Sequence, residues 1–280
     1  METPTFAPEP TPFFLYGTAW KEEQTTQLTQ LALQAGFRGI DTANQRKHYF
    51  EAGVGEGIVY GYEHMGLTRD DLWLQTKFTH LAGQDHRLPY DPRAPMQEQV
   101  MSSFNSSLTH LHTDHIDAFV LHGPSLRDGL ADEDWAAWEA MEELHTQGKV
   151  KALGVSNMSA AQLQLLLSEC RVAPRYIQNR CFAMLGWDRE VRRLCETHDI
   201  IYQGFSLLTA NREVWESEAL SYLARQKQCT QAEIIFSFAL AMKMLPLTGT
   251  SNPEHMRNDL QSRSDLLSVQ EIDFIEHIYR

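Results

Sequence analysis

HIDAFVLHGPSLRDGLADEDWAAWEAMEELHTQGKVKALGVS, residues 115–156, reads as a strand, a helix and a second strand. Residues 115–122 and 149–156 are short apolar runs of strand length. Between them, residues 132–148 form the clearest helical segment. Its first turn carries Asp132, Glu133 and Asp134, which complement the positive end of the helix dipole, and Gly148 closes it. The same alternation continues in both directions. Upstream, FFLYG (13–17), FRGID (37–41) and LWLQTK (72–77) read as strands, with helices over 24–36, 52–66 and 96–111. Downstream, strands are expected at 175–179, 199–206 and 243–249, with helices over 159–169, 187–198, 213–227, 230–242 and 270–280. Residues 1–12 contain Pro4, Pro8, Pro10 and Pro12 and predict a flexible N-terminal tail.

Eight strands alternating with helices, with no break in composition, predict an α/β protein. The expected architecture is a single (β/α)8 TIM barrel over residues 13–280. A doubly wound open sheet is the competing arrangement, and it usually carries a glycine-rich phosphate loop directly after its first strand. Here the first strand is followed by TAWKEEQ. GVGEG (53–57) has suggestive glycines, but no strand immediately precedes it, so it fails as a dinucleotide fingerprint.

The chain has 280 residues and a formal net charge of −13. That field disfavours broad contact with nucleic acid or an anionic membrane, and leaves room for a small anion in a local basic pocket. The four cysteines form no CxxC pair and are expected to be free thiols in a reducing compartment. No run is long and apolar enough for a membrane span, and the first residues lack a basic, apolar leader. The expectation is a cytoplasmic enzyme, a monomer or weak dimer.

A barrel of this kind gathers its active site at the C-terminal mouth, so polar residues ending strands matter most. The second, third and fourth strands end in Asp41, Lys77 and His122. Ser156 and Asn157, Gln178 and Asn179, and Ser206 end the next three. A lysine beside a carboxylate stays charged, and a cation beside a phenol favours release of its proton. A tyrosine would complete this set as the proton donor for carbonyl reduction, with His122 orienting the carbonyl. HExxH does not occur, and Lys77 is a poor neighbour for a cation, so no metal site is expected.

The motifs GTAW (17–20), GFRGIDTA (36–43), EAGVGEGI (51–58), LWLQTKF (72–78), HIDAFVLHGP (115–124), GKVKALGVSN (148–157) and YQGFSLL (202–208) carry a wider resemblance. In order and spacing the chain resembles the aldo-keto reductases over roughly residues 13–280. That resemblance implies an (α/β)8 barrel moving hydride from NADPH, sometimes NADH, to a small aldehyde or ketone. It implies a catalytic tetrad in which Asp41, Lys77 and His122 take the Asp, Lys and His places. The tyrosine place is irregular: position 46 is Arg, and the link from Asp41 to Gly55 is two residues longer than usual. Counting back from Gly55 puts His48 in the slot and Tyr49 one place later. Tyr49 is the expected acid, with His48 as the rival donor.

The resemblance also implies the cofactor site. Ser156 and Asn157 would hold the nicotinamide carboxamide together with Gln178, and Phe205 would stack on the ring. Thr18, Ser206 and Leu208 join them from their motifs. In PLTGTSNPEHMRNDL (246–260), Gly249, Thr250, Ser251, His255, Asn258 and Asp259 fall in the stretch that would hold the adenosine and its 2′-phosphate, with Gly249, Thr250 and His255 replacing the family's usual Lys, Ser and Arg. NADPH is the expected cofactor and NADH its rival. Trp20 and His122 are the expected substrate contacts. No long C-terminal lid follows the last helix, so specificity is expected from the loops at 43–51, 79–95 and 123–131. The His80, His86, Arg87 and Arg93 charges in the second loop read as solvated rather than substrate-binding. Two other functions fit the scaffold: a non-redox isomerase or dehydratase, and a nucleotide-binding interaction protein with little turnover.

Overall fold

The computed structural model describes residues 11–279. Eight strands, β1 (Leu15–Gly17), β2 (Gly39–Asp41), β3 (Trp73–Phe78), β4 (Ile116–Leu121), β5 (Val150–Ser156), β6 (Tyr176–Arg180), β7 (Ile201–Phe205) and β8 (Leu245–Thr248), form one closed barrel. Each pairs in parallel with its sequence neighbour, and β1 closes on β8. Helices α1 (Thr25–Ala35), α2 (Glu51–Met65), α3 (Met96–His110), α4 (Asp132–Thr146), α5 (Ala160–Glu169) and α6 (Arg189–His198) connect the first seven strands. Three helices, α7 (Arg212–Trp215), α8 (Glu218–Lys227) and α9 (Gln231–Ala241), lie between β7 and β8, and α10 (Pro253–Asp259) and α11 (Val269–Glu276) end the chain.

Strand alternation sends every second side chain into the barrel. At the N-terminal end Leu15, Trp73, Ala118, Tyr176, Leu245 and Leu247 fill it with apolar volume. Above them the filling turns polar. Asp41 pairs in register with Gln75, and Gln178 with Gln203. Gln75 and Gln203, on opposite walls, exchange two amide hydrogen bonds of 2.8 Å, each Nε2 donating to the other's Oε1. Such an amide is tolerated inside a barrel only when its hydrogen bonds are made. This reciprocal pair forms a floor across the interior.

The glycines at 53–57 serve helix packing. A Cβ on Gly55 would lie 1.8 Å from the His110 carbonyl oxygen, which is main chain and cannot swing aside. Gly55→Ala is expected to destabilise the fold by about 1–3 kcal/mol through overpacking. Chemical denaturation of the variant checks this, and an unchanged midpoint would refute the close approach.

The helix expected over 213–227 is interrupted. Ser217 accepts the Leu220 N–H at 3.3 Å and caps α8, so the chain breaks between α7 and α8. The last helix packs beside α6: the Trp187 indole donates to the Ile275 carbonyl at 3.1 Å, and Arg192 pairs with Glu276 at 3.1 Å. Residues 1–10 of the proline-rich segment lie outside the described residues. Thr11 hydrogen bonds to the Tyr176 hydroxyl at 2.9 Å, beneath the barrel. All four cysteines are free thiols. No helix among the described residues is long and apolar enough to cross a membrane.

Candidate active site

A cavity of about 550 Å³ opens at the C-terminal end of the barrel. Its wall takes Asp41 from the end of β2, Ser156 from β5, Gln178 and Arg180 from β6, and Phe205 from β7. The loops beyond the strands add Trp20, His48, Tyr49, His122, Asn157, Ser206 and Leu208, and the β8 end adds Gly249, Thr250 and His255. Lys77 lies behind the wall, fully buried.

Asp41 is the hub. Its Oδ1 accepts the Lys77 ammonium at 2.7 Å, the Gln75 amide at 2.6 Å and the Gln178 amide at 3.0 Å. Lys77 also donates to the Thr42 carbonyl at 2.9 Å. Burial lowers the Lys77 pKa, and the adjacent Asp41 charge works in the opposite direction. The ammonium sits 5.1 Å from the centre of the Tyr49 ring. Tyr49 in turn meets the His122 imidazole edge-on, with centroids 5.7 Å apart. Burial first, and then the Asp41 charge, raise the Tyr49 pKa well above that of a free phenol, so the hydroxyl holds its proton.

His122 sits 2.7 Å from the Thr79 hydroxyl through Nδ1. Its pKa falls well below the ordinary value because of burial, then Lys77, then His48. The ring is therefore neutral at pH 7. In the tautomer in which the Thr79 hydroxyl donates to Nδ1, the proton rests on Nε2 as a hydrogen-bond donor.

The lengthened loop before α2 is pinned rather than loose. Asn44 donates to the Ser103 carbonyl at 2.9 Å, Gln45 to the Gly83 carbonyl at 2.7 Å, and the Tyr49 N–H to the Gln45 carbonyl at 3.0 Å. His48 is turned to another task. Its carbonyl accepts the Trp20 N–H at 2.7 Å, and its ring packs against the Trp20 indole, tilted by 37° with centroids 3.9 Å apart. Trp20 holds a left-handed backbone (φ 63°) and is 68% exposed at the rim. Tyr49 neighbours both Lys77 and His122.

The expected cofactor residues divide. Ser156 donates to the Gln178 carbonyl at 2.6 Å, and Asn157, in a left-handed conformation, donates to the His122 carbonyl at 2.8 Å. Gln178 spends its amide nitrogen on Asp41 and Gln203, leaving its oxygen available. Thr18 is fully buried and donates to the Asp41 carbonyl at 2.9 Å, so it braces the strand end. Ser251, Asn258 and Asp259 are not part of the cavity wall. Asp259 is buried, and its pKa rises to about 6 chiefly through desolvation.

Sequence reasoning missed Gln75, Gln203, Thr79, Lys21 and Arg180. The Lys21 ammonium donates to the Gly249 carbonyl, placing a cation beside the end of β8. Period-two alternation from Gln178 was the available signal for Arg180. Among the described residues, no cluster of three or more His, Cys, Asp or Glu side chains is arranged to hold a metal.

Comparison with known proteins follows the same lines. The sequence model of the Aldo/keto reductase family matches residues 13–280. An uncharacterised oxidoreductase of Bacillus subtilis, YtbE, is 29% identical, covering 93% of this chain and 86% of its own length. A methylglyoxal reductase of Yersinia pestis, DkgA, is 26% identical over 90% of this chain and 84% of its own. The crystal structure of an aldo/keto reductase from Brucella melitensis superposes with a TM-score of 0.80 at 26% identity, covering 95% of each chain.

Proposed function

Because the chain belongs to the aldo/keto reductase family, we propose that it is an NADPH-dependent reductase of small aldehydes or ketones, with Tyr49 as the proton donor. The observation that carries this reading is the meeting of Tyr49, Lys77, Asp41 and His122 at one end of a cavity large enough for a substrate.

The cavity suits a nicotinamide cofactor. The free Gln178 oxygen, Ser156 and Asn157 would hold the carboxamide, and the Phe205 ring offers a face for stacking. Ser206, Leu208, Gly249 and Thr250 would follow the phosphates, with Lys21 and His255 supplying positive character. When bound, the cofactor supplies the hydride. The His122 Nε2–H and the Tyr49 hydroxyl converge on the carbonyl oxygen and orient it. Tyr49 transfers its proton to that oxygen as negative charge develops there. Lys77 stabilises the resulting phenolate, and Asp41 holds Lys77 in place. The reverse reaction oxidises an alcohol.

The test is oxidation of NADPH, with NADH in parallel, on a panel of small aldehydes and ketones. No aldehyde-dependent oxidation of either cofactor would overturn the reading. The pH profile is a second test. A general acid must be protonated, and the raised Tyr49 pKa keeps it so until strongly alkaline pH. His122 must be neutral, and its lowered pKa keeps it so down to well below pH 6.5. The reductive kcat is therefore expected to be flat from about pH 6 to 8 and to fall only as pH rises further. A kcat that already falls as pH rises through the histidine range would instead identify an imidazolium as the donor.

A further inference from the structure

The cavity wall carries one permanent cation, Arg180, at the C-terminal end of β6. Residues two apart on a strand share a face, so Arg180 stands on the barrel-lining face one step above Gln178. Its register partner is Phe205. The guanidinium carbon lies 5.6 Å from the Phe205 ring centre and 6.0 Å from that of Phe182. Arg180 is solvent-exposed, and among the described residues no carboxylate lies within ion-pair distance of it.

Several other cations near the mouth are paired with carboxylates. Lys77 is held by Asp41 at 2.7 Å. In the 79–95 loop, Arg87 is bound by Asp85 and Arg93 by Asp91 at 3.3 Å. Arg46 reaches Glu22 at 3.5 Å. In a chain with a net charge of −13, Arg180 stands in the cavity wall with no carboxylate at ion-pair distance among the described residues. The guanidinium carbon lies over two aromatic rings, and among the described residues no hydrogen bond takes up its N–H donors. That fork matches the two oxygens of a carboxylate.

We propose that Arg180 binds the carboxylate of a substrate that carries both an aldehyde or ketone and an acid group. This rests on the reductase reading above and adds a substrate class to it. The surrounding negative field would repel such a molecule elsewhere, so the arginine acts as a local selector.

The experiment compares 4-carboxybenzaldehyde with benzaldehyde in the wild type and in Arg180→Met and Arg180→Lys. The wild type is expected to favour the acid in kcat/KM. The acid-to-neutral ratio is expected to fall about tenfold or more in Arg180→Met, and to recover only in part in Arg180→Lys, whose point charge lacks the fork. An equal loss on both aldehydes would overturn the proposal. So would an unchanged ratio with weakened NADPH binding, which would assign the anion to the cofactor. Quenching of tryptophan fluorescence by benzoate and by benzyl alcohol reads the same subsite without turnover. If neither aldehyde is reduced but benzoate binds the wild type more tightly than Arg180→Met, the reductase reading fails and the anion site stands. Equal benzoate binding by both proteins removes the anion site whatever the activity.

Discussion

Tyr49→Phe is expected to lower kcat for aldehyde reduction by about 10²–10⁴-fold while leaving KM within a few-fold. The substitution removes one oxygen and keeps the ring that packs 5.7 Å from His122 and 5.1 Å from the Lys77 ammonium. What is lost is the proton that burial and the Asp41 charge keep on the phenol. Binding of the cofactor, measured by fluorescence titration, should not move. His48→Gln is the matched control, because the His48 ring is engaged with Trp20. Its rate should fall by less than about tenfold, in the range of a lost packing contact rather than a lost acid. Reversal of the two results would transfer the proton-donor role to His48.

Lys77→Met should be the most damaging substitution, and in two ways. It removes the cation beside Tyr49, so reduction should fall by about 10²-fold or more, as for loss of the acid itself. It also strips Asp41 of its ion-pair partner inside the barrel, where Lys77 is 0% exposed and Asp41 2%. Breaking a buried pair from one side typically costs about 3–5 kcal/mol. The Gln75 and Gln178 amides remain to hold Asp41, but they carry no charge. An isolated ionised carboxylate is disfavoured there while its protonated form is not, so the defect should deepen as pH rises from 4 to 8. Urea denaturation at both pH values measures it. Asp41→Asn placed on top should restore part of the stability and none of the activity. A Lys77→Met protein as stable as wild type at pH 8 would show that the pair contributes nothing to the fold.

The barrel was legible because each strand is a short apolar run followed by a helical period, and the alternation never breaks. The candidate catalytic cluster was legible because Asp41, Lys77 and His122 end three successive strands, and closure brings successive strand ends together. Tyr49 required a count across an irregular loop. What fixes that loop, the Asn44 and Gln45 bonds to distant carbonyls, involves partners 59 and 38 residues away. Gln75 and Gln203 were invisible for a related reason. A lone glutamine in a strand reads as a neutral interruption, and its partner on the opposite wall is 128 residues distant. The hydroxyl of Thr79 on His122 depends on side-chain directions that spacing does not encode. The break at Ser217 was missed because helical periodicity runs through it, although a serine able to cap was there to read.

The crossed amides of Gln75 and Gln203 turn the barrel into a vessel with a sealed base. Water, proton, substrate and product all share the one opening. A ligand resting against Gln178 and Asp41 would take the deepest place in the cavity, so ordered binding is expected, which product-inhibition kinetics would check. Trp20, exposed at the rim against His48, would be among the first side chains an entering molecule meets.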